Sequence, residues 1–342
     1  MRIFTNPKTA WHTPAGEIKD GQLKPPFDQP RRIEIVLEAL RARGAPLPKT
    51  PPVCAPDAIA AVHDPSYVRF LETAHDQWLA AGRTGDVFPL VWPGPGFRRN
   101  VKPNTIDGLI GLYAFDSGTP IAAGTWDAVR QGADAAVASA DALSAGEDRA
   151  LCLTRPPGHH AMRGQYGGYC FLNFAAIAAQ RLRDNGAARV AVLDVDYHHG
   201  NGTQDIFYDR GDVLVVNLHA DPIAEYPYYL GHADEIGVGE GEGATLNLPL
   251  PAGTDGAAYS DALAQACAVI ARFGADALVL SYGADTFEHD LLGRFKLTTA
   301  DMGRIGTAVR ALKLPVLTVL EGGYAVEDLG RNVVSLIAGL EP

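Results

Sequence analysis

Residues 194–202, with the sequence Asp-Val-Asp-Tyr-His-His-Gly-Asn-Gly, bring two carboxylates and two imidazoles together in one short stretch. The stretch directly follows the apolar run of residues 190–193, whose composition is typical of a buried strand. Ionisable groups at the end of a buried strand would cost roughly several kcal/mol each to remove from water if they had no partners. A bound divalent cation would offset that cost, so the stretch predicts a metal site.

Three residues are the best candidates for metal ligands. Asp196 and His198 are two positions apart, so an extended backbone directs both side chains the same way, and Asp285 follows another apolar run. Three protein ligands leave positions for water and substrate, which is typical of a catalytic site. Mixed oxygen and nitrogen donors suit Zn²⁺ and also accept Fe²⁺, Co²⁺ or Mn²⁺. The alternative is that Asp196 and His198 pair only with each other.

A second motif is the pair His159 and His160, which follows the stiff Pro-Pro-Gly segment of residues 156–158. One imidazole could accept a proton from an attacking water and later pass it to a leaving amine. Asp194 and Asn201 are natural partners that would fix the two tautomers. A carboxylate raises the basicity of a histidine more than an amide does, so we expect one cationic and one neutral ring. The alternative is a surface histidine pair without a catalytic role.

Tyr324 follows two glycines, which allow unusual backbone conformations. A phenol that faces the metal could donate a hydrogen bond to a developing oxyanion. The alternative is a tyrosine that only packs in the core.

The segments that carry these residues follow predicted strands. Strands are predicted over residues 149–153, 190–193, 213–218, 277–282 and 316–320. Helices are predicted over residues 31–43, 65–81, 125–144, 173–185, 259–273, 299–312 and 328–340. This alternation predicts an α/β fold, a three-layer α/β/α arrangement with a mainly parallel central sheet, as a single domain of residues 1–342. Parallel strands end at one edge of their sheet, where open α/β sheets bind ligands, so we expect the four motifs to meet there.

Two parts of the chain lack this alternation. Residues 1–30 are mostly polar and are predicted to be loop-like. Residues 84–120 are rich in glycine, proline and aromatic residues, and they are predicted to form a long loop insertion. Large apolar side chains such as Trp92 and Phe97 argue against disorder there, so a lid or an interface is favoured.

Composition and charge narrow the classes of function. The chain has 342 residues and a net charge of −11, which disfavours nucleic-acid binding. No apolar run approaches the roughly 20 residues that span a bilayer, and the first residues lack a signal-peptide pattern, so no membrane association is expected. The 4 cysteines are scattered without a C-x-x-C pair, which favours buried thiols in the cytoplasm.

At these motifs the chain resembles the histone deacetylase and acetylpolyamine amidohydrolase family, which has an arginase-like fold. The matching segments are R-P-P-G-H-H at 155–160, G-G-Y-C-F-L-N at 167–173, D-V-D-Y-H-H-G-N-G-T at 194–203, G-A-D-T at 283–286 and E-G-G-Y at 321–324. A further match is V-H-D-P-S-Y-V at 62–68, and the similarity covers nearly the whole chain, closest to the acetylpolyamine subgroup.

The resemblance implies a zinc-dependent amide hydrolase, a deacetylase. Its metal ligands would be Asp196, His198 and Asp285. His160 would be the acid/base, His159 its electrostatic partner, and Tyr324 the group that polarises the acetyl carbonyl. The resemblance also implies a structural K⁺ beside Asp194, Asp196 and His198. Two positions depart from the family pattern: Asn217 stands where a serine often helps to hold that K⁺, and Phe174 stands where asparagine is common.

The resemblance further implies a narrow entrance and a small substrate. The residues implied in substrate binding are Tyr169 and Tyr226 as aromatic walls, Leu292 and Gly168 nearby, and Glu17 and Asp116 as partners for a distal ammonium. A homodimer through the loop of residues 84–120 is implied, and the expected substrate is an acetylated polyamine or a similar small acylated amine. Alternatives are a deacetylase of Nε-acetyl-lysine, a ureohydrolase with two Mn²⁺ ions, and a binding module without turnover. Lys19, Arg98, Arg99 and Lys102 add positive charge to the same regions.

Overall fold

The computed structural model describes residues 1–5, 7–98 and 100–342. Its strands are β1 (Arg2–Thr5), β2 (Glu17–Lys19), β3 (Gln22–Lys24), β4 (Arg149–Leu153), β5 (Val190–Asp194), β6 (Val213–Ala220), β7 (Thr245–Leu250), β8 (Ala277–Tyr282) and β9 (Val316–Leu320). Its α-helices are α1 (Arg31–Ala42), α2 (Pro56–Ala60), α3 (Pro65–Ala80), α4 (Ile106–Tyr113), α5 (Thr125–Ser144), α6 (Phe174–Asp184), α7 (Asn201–Phe207), α8 (Gly256–Phe273), α9 (Thr299–Ala311) and α10 (Val326–Leu340).

Seven of the strands form one parallel sheet in the order β1-β4-β9-β8-β5-β6-β7. All residues of β5, β8 and β9 are buried, which explains their nearly continuous apolar sequences. The short strands β2 and β3 form a separate antiparallel hairpin. The predicted α/β fold with a parallel central sheet is therefore confirmed.

Alternate residues of each central strand face two different hydrophobic cores. In β5, Val190 and Val192 pack in the core that contains α5 and α6, whereas Ala191 and Leu193 pack in the core that contains α8, α9 and α10. This is the two-residue period of a strand that is covered on both faces. The predicted three layers, helix on sheet on helix, are thus present in one α/β domain.

The structure corrects three sequence predictions. The first 30 residues are not loop throughout, because β1 pairs with β4 at the edge of the sheet and β2 with β3. The loop predicted over residues 84–120 contains the helix α4. The strand β7 was not predicted, because it alternates buried and half-buried residues and contains Pro249.

Most other boundaries agree to within a few residues. The exception with a clear cause is α8, which begins at Gly256 because the Asp255 side chain accepts hydrogen bonds from the Ala257 and Ala258 amides. No helix in the described ranges is both long and apolar enough to cross a lipid bilayer.

Candidate active site

The four motifs lie at the carboxyl ends of four neighbouring strands. In the sheet, β4, β9, β8 and β5 are consecutive, and they lead into the segments of His159, Tyr324, Asp285 and Asp196. Segments far apart in sequence are therefore neighbours in space, as predicted from the parallel arrangement.

Asp196, His198 and Asp285 form one compact group whose possible ligand atoms all lie within 4.8 Å of one another. His198 Nδ1 is 3.0 Å from Asp285 Oδ2 and 3.4 Å from Asp196 Oδ1. Both carboxylates are buried, and the His198 side chain is only 15% exposed. The group combines the oxygen and nitrogen donors that suit Zn²⁺ and related ions.

Backbone amides and glycines shape the space around these three side chains. The amide of Tyr197 donates to Asp285 Oδ1 at 2.9 Å, and the amide of Gly322 donates to Asp196 Oδ2 at 2.9 Å. A methyl group at Gly322 would lie 2.6 Å from Asp196 Oδ2 and also 2.6 Å from Asp285 Oδ2. The donors thus converge on a cradle that a side chain would fill, and this arrangement fits a divalent cation.

The two adjacent histidines have different partners. His159 Nδ1 donates to Asp194 Oδ2 at 2.9 Å, whereas His160 Nδ1 donates to Asn201 Oδ1 at 2.7 Å. The orientation of the Asn201 amide is supported by its own Nδ2, which donates to the His160 carbonyl at 3.3 Å. The ring centroids of the pair are 4.0 Å apart, and both rings are buried.

Because their partners differ, the two histidines have different pKa values. Burial disfavours the charged form of His159, but the carboxylates of Asp194 and Asp196 outweigh burial and raise its pKa to about 10. Burial, together with the neighbouring His159 and His198, lowers the pKa of His160 well below its usual range. His159 is therefore cationic and His160 neutral, with the lone pair on its Nε2 because Nδ1 carries the proton.

Glu321 fixes the loop that carries the histidine pair. Its Oε2 accepts hydrogen bonds from the amides of Gly158 at 2.7 Å and His159 at 3.1 Å, and its Oε1 accepts one from the Ser281 hydroxyl at 2.9 Å. Glu321 is fully buried. Its role was not predicted from the sequence, because its partners lie on β8 and in the loop after β4, far from it along the chain.

Arg32 is a second residue that sequence reasoning missed. Its buried guanidinium lies 5.0 Å from the centre of the Tyr324 ring, and its Nε donates to the Gly323 carbonyl at 2.7 Å. Asp28 Oδ1 accepts from Arg32 at 2.8 Å, and Asp28 Oδ2 lies 3.2 Å from Nε of Arg155. The three residues form a buried charge triad, Arg32–Asp28–Arg155, behind Tyr324. The one feature of the sequence that pointed to this triad was Arg155, because it directly precedes the Pro-Pro-Gly turn of the histidine pair.

A cavity of about 600 Å³ leads to this site, and His160, His198 and Tyr324 line it. Tyr169 and Tyr226 also line it: the Tyr169 ring is 5.7 Å from that of Tyr324, and the Tyr226 ring is 5.0 Å from that of His160.

Two carboxylates accept hydrogen bonds from the tyrosines that line the cavity. Glu17 Oε1 accepts from the Tyr169 hydroxyl at 2.8 Å, and Asp116 Oδ2 accepts from the Tyr226 hydroxyl at 2.9 Å. The predicted substrate-binding residues therefore surround one cavity, and Glu17 and Asp116 contact its aromatic walls directly.

Leu292 and Gly168 complete the predicted set. Both line the cavity, and a methyl group at Gly168 would overlap the His160 ring. Of the basic residues noted in the sequence, Lys19 lines the cavity, and Arg99 lies outside the described residues.

A second position beside the sheet, formed by Asp194 and Asn217, is suited to the structural K⁺ that was expected from the sequence. Neither residue belongs to the group Asp196, His198 and Asp285. Asn217 pairs with Asp194 in the sheet register, and its Oδ1 is buried without a hydrogen-bond partner. A methyl group at Gly200 would lie 3.0 Å from this oxygen and would overlap the Asp194 carboxylate. An unpaired buried oxygen beside a buried carboxylate is suited to a monovalent cation.

A parallel α/β sheet with a group of possible metal ligands, a histidine pair and a phenol at one edge has the composition of a candidate hydrolase site. Comparison with known proteins makes the assignment more specific. Residues 26–340 match the histone deacetylase domain, so the chain belongs to the histone deacetylase family and is a hydrolase of the deacetylase class.

Full-length relatives agree with this assignment. The chain is 48% identical over 325 residues to acetylpolyamine amidohydrolase 2 of Pseudomonas aeruginosa, which covers 95% of this chain and 94% of that protein. It is 43% identical over 342 residues to acetylpolyamine amidohydrolase of Mycoplana ramosa, with 99% of each chain covered. The crystal structure of the acetylpolyamine aminohydrolase from Burkholderia pseudomallei superimposes with a TM-score of 0.94 at 39% identity, and it covers 99% of this chain and 98% of that one.

Proposed function

We propose that this protein is a zinc-dependent deacetylase of acetylated polyamines or similar small acylated amines. The observation that carries the proposal is the convergence of Asp196, His198 and Asp285 at the end of a cavity that His160 and Tyr324 also line. Relatives that are similar over their full length are named acetylpolyamine amidohydrolases, which supports this class of substrate.

When bound by these three residues, Zn²⁺ would supply a Lewis acid for the amide carbonyl and lower the pKa of water. Fe²⁺ or Co²⁺ would suit the same donors. His160 accepts the proton of the attacking water, because its Nε2 carries a lone pair and its ring lines the cavity. The same nitrogen then returns the proton to the leaving amine.

His159 and Tyr324 stabilise charges in the site and do not take part in the proton transfer. The imidazolium of His159, held by Asp194, offsets the negative charge of the buried carboxylates. Burial raises the pKa of the Tyr324 phenol well above its usual value, so the hydroxyl keeps its proton. It can therefore donate a hydrogen bond to the oxyanion that forms from the acetyl carbonyl.

The cavity favours a small, linear substrate. The rings of Tyr169 and Tyr226 line the cavity beside Tyr324 and His160, respectively, and would remove water from the methylene groups of an acylated amine. Nε-acetyl-lysine in a peptide has the same linear acyl-amine arm, so its hydrolysis is the alternative activity.

The direct test is hydrolysis of N-acetylputrescine, acetylspermidine and an acetyl-lysine peptide by protein loaded with Zn²⁺. We expect measurable kcat/KM on at least one acetylated polyamine, loss of activity after chelation, and recovery on addition of Zn²⁺. Zinc-loaded protein that leaves all three amides intact would contradict the proposal.

Metal counting separates this proposal from a ureohydrolase with two ions. Among the described residues, the one other group with metal-ligand spacing is His159, Cys170 and Glu321. Glu321 already accepts two backbone amides and a hydroxyl, and burial raises the pKa of the Cys170 thiol well above its usual value. We expect a single catalytic transition-metal ion per chain, with K⁺ as a separate structural ion near Asn217.

We also propose a homodimer through the 84–120 segment and a cytoplasmic location. Leu90 and Phe97 in this segment are 85% and 60% exposed, and Val91 and Val101 are exposed as well. Several exposed large apolar side chains in one segment favour an interface. All 4 cysteines are free thiols, which supports a reducing compartment.

A further inference from the structure

Four carboxylates line the cavity, and they differ in what already contacts them. They are Glu17, Asp20, Asp116 and Glu225. A substrate that carries a second, charged amine would need one of them as its partner, so the contacts of each decide which one is available.

Glu17 and Asp116 are occupied by the protein itself. Glu17 accepts the Tyr169 hydroxyl and the Phe27 amide, and Asp116 accepts the Tyr226 hydroxyl and the amides of Gly168 and Gly118. Burial raises the pKa of both carboxyl groups. Their contacts make them braces for the aromatic walls.

Asp20 is at the outer rim. Its side chain is 69% exposed and pairs with Lys24 at 2.6 Å. An exposed carboxylate that is paired and screened by solvent contributes little to binding.

Glu225 differs from the other three carboxylates. Its side chain is only 12% exposed, and the ion pair with Arg294, at 3.1 Å between Oε1 and NH1, lacks hydrogen-bond geometry. Its Oε1 is buried without a hydrogen-bond donor. Arg294 is 66% exposed, so its guanidinium can leave the ion pair and enter solvent while the Glu225 carboxylate continues to line the cavity.

Both members of the pair are anchored close to the catalytic groups. Glu225 directly precedes Tyr226. Burial and the neighbouring Glu225 carboxylate raise the pKa of the Tyr197 phenol, but the phenol oxygen makes no hydrogen bond of acceptable geometry to this carboxylate. Arg294 directly follows Gly293, which packs against the backbone of Asp285 so tightly that a methyl group there would overlap the Asp285 carbonyl.

We propose that Glu225 receives the distal ammonium of the substrate and that Arg294 competes with this ammonium for the same carboxylate. The inference rests on the proposed deacetylase function and adds a residue pair that selects substrates by charge. A cationic acyl amine displaces Arg294 from Glu225, whereas a neutral acyl amine leaves the ion pair intact.

Two substrates and two variants test the proposal. N-acetylputrescine is cationic, and N-pentylacetamide has nearly the same shape but no charge. We expect Glu225→Gln to lower kcat/KM for N-acetylputrescine about 10-fold, mostly through KM, as for loss of a hydrogen bond to a charged group. For N-pentylacetamide the change should stay within about 2-fold, as for a group that makes no contact with the substrate. We expect Arg294→Gln to raise kcat/KM for N-acetylputrescine about 3-fold, because removing the competing cation frees the carboxylate.

Glu72→Gln is the matched control, because Glu72 pairs with Arg69 at 2.9 Å on α3, outside the cavity lining. This variant should have the wild-type kcat/KM for both substrates. An active wild-type protein whose Glu225→Gln variant loses equally on both amides, or whose Arg294→Gln variant loses activity on N-acetylputrescine, would overturn this inference alone. A wild-type protein that hydrolyses neither these amides nor acetylspermidine nor the acetyl-lysine peptide would overturn the proposed function together with the inference.

Discussion

At the scale of single residues, the two adjacent histidines owe their different charges to Asp194 and Asn201. These partners could be predicted from the sequence, because the segments that carry the four residues follow or end β4 and β5, two strands of one parallel sheet whose carboxyl ends lie at the same edge. Arg32 and Glu321 could not be predicted in the same way. Their roles depend on contacts with backbone carbonyls and amides more than 100 positions away, and such contacts leave no local pattern.

The first residue-scale prediction concerns Tyr324. Replacing it with Phe removes only the hydroxyl, so kcat should fall about 100-fold to 1000-fold, as for loss of one oxyanion donor. Binding of a non-hydrolysable substrate analogue, measured by calorimetry, should change little. Equal losses in kcat and in analogue affinity would contradict the role of the phenol at the oxyanion.

The second prediction concerns Gly322. A Gly322→Ala methyl would press against the carboxylates of Asp196 and Asp285, at 2.6 Å from each. We expect the variant to fold but to bind less Zn²⁺ at equilibrium, as measured by metal analysis after dialysis. Gly164→Ala is the control, because a methyl there meets nothing within 4 Å, and its metal content should match the wild type.

At the scale of elements, the Arg32–Asp28–Arg155 triad joins three parts of the chain. Arg32 belongs to α1, Arg155 to the loop after β4, and Arg155 also donates to the carbonyls of His12 and Asp28 at 2.8 Å each. The triad therefore connects the N-terminal segment to the histidine loop and to the Tyr324 loop. Residues 1–30 were predicted to be loops because short polar segments have no periodicity, although the structure uses them to support the site.

Asp28→Asn tests the importance of the triad. The change leaves two buried guanidinium groups without a counter-charge, so the free energy of unfolding in urea should fall by about 3 kcal/mol or more. The kcat should fall as well, because the Tyr324 loop loses its support. Asp20→Asn removes one partner of an exposed ion pair and should leave the free energy of unfolding nearly unchanged. Similar decreases in the free energy of unfolding for both variants would show that the buried triad does not stabilise the fold more than an exposed ion pair does.

A pH prediction follows from His63, which precedes α3 and contacts the start of α6. Its Nδ1 donates to the Met162 carbonyl at 3.0 Å, and its Nε2 accepts the Asn173 amide at 2.9 Å, so the ring must be neutral. Burial lowers its pKa to about 4 from an ordinary value of 6.5. The unfolded chain binds the proton more readily, and stability is full above about pH 6.5 and falls as the pH drops toward 4.

The contribution of His63 to this loss is roughly 3 kcal/mol. His63→Gln keeps a donor and an acceptor but does not titrate. Its free energy of unfolding, compared between pH 7 and pH 4.5, should therefore decrease less than that of the wild type. The same decrease in both proteins would exclude His63 as a source of the acid sensitivity.

At the scale of the whole molecule, the alternation of helices and apolar runs was sufficient to predict a parallel sheet with helices on both faces. The two edge strands escaped prediction. The strand β1 has only four residues, and β7 faces solvent in part and contains a proline, so neither has the continuous apolar pattern of the central strands. The order of strands could not be predicted either, because pairing depends on contacts between distant parts of the chain.

The homodimer proposed through the 84–120 segment is tested by a double change. Leu90→Asp with Phe97→Asp places two charges on exposed apolar positions, so sedimentation should show a dimer for the wild type and a monomer for the variant. The thermal unfolding curve of the monomer should still be cooperative, because neither side chain is in the core. A wild type that sediments as a monomer at micromolar concentration would exclude the proposed assembly.

The position of β9 has a consequence for synthesis on the ribosome. This strand, Val316–Leu320, is the last strand of the sheet in chain order but lies in the middle of the sheet, between β4 and β8. Until it has left the exit tunnel, the strands made earlier form two separate fragments with bare edges that can pair with other nascent chains. Completion of the sheet, and with it the placement of Tyr324, must therefore wait until β9 has been made, after every other strand of the sheet.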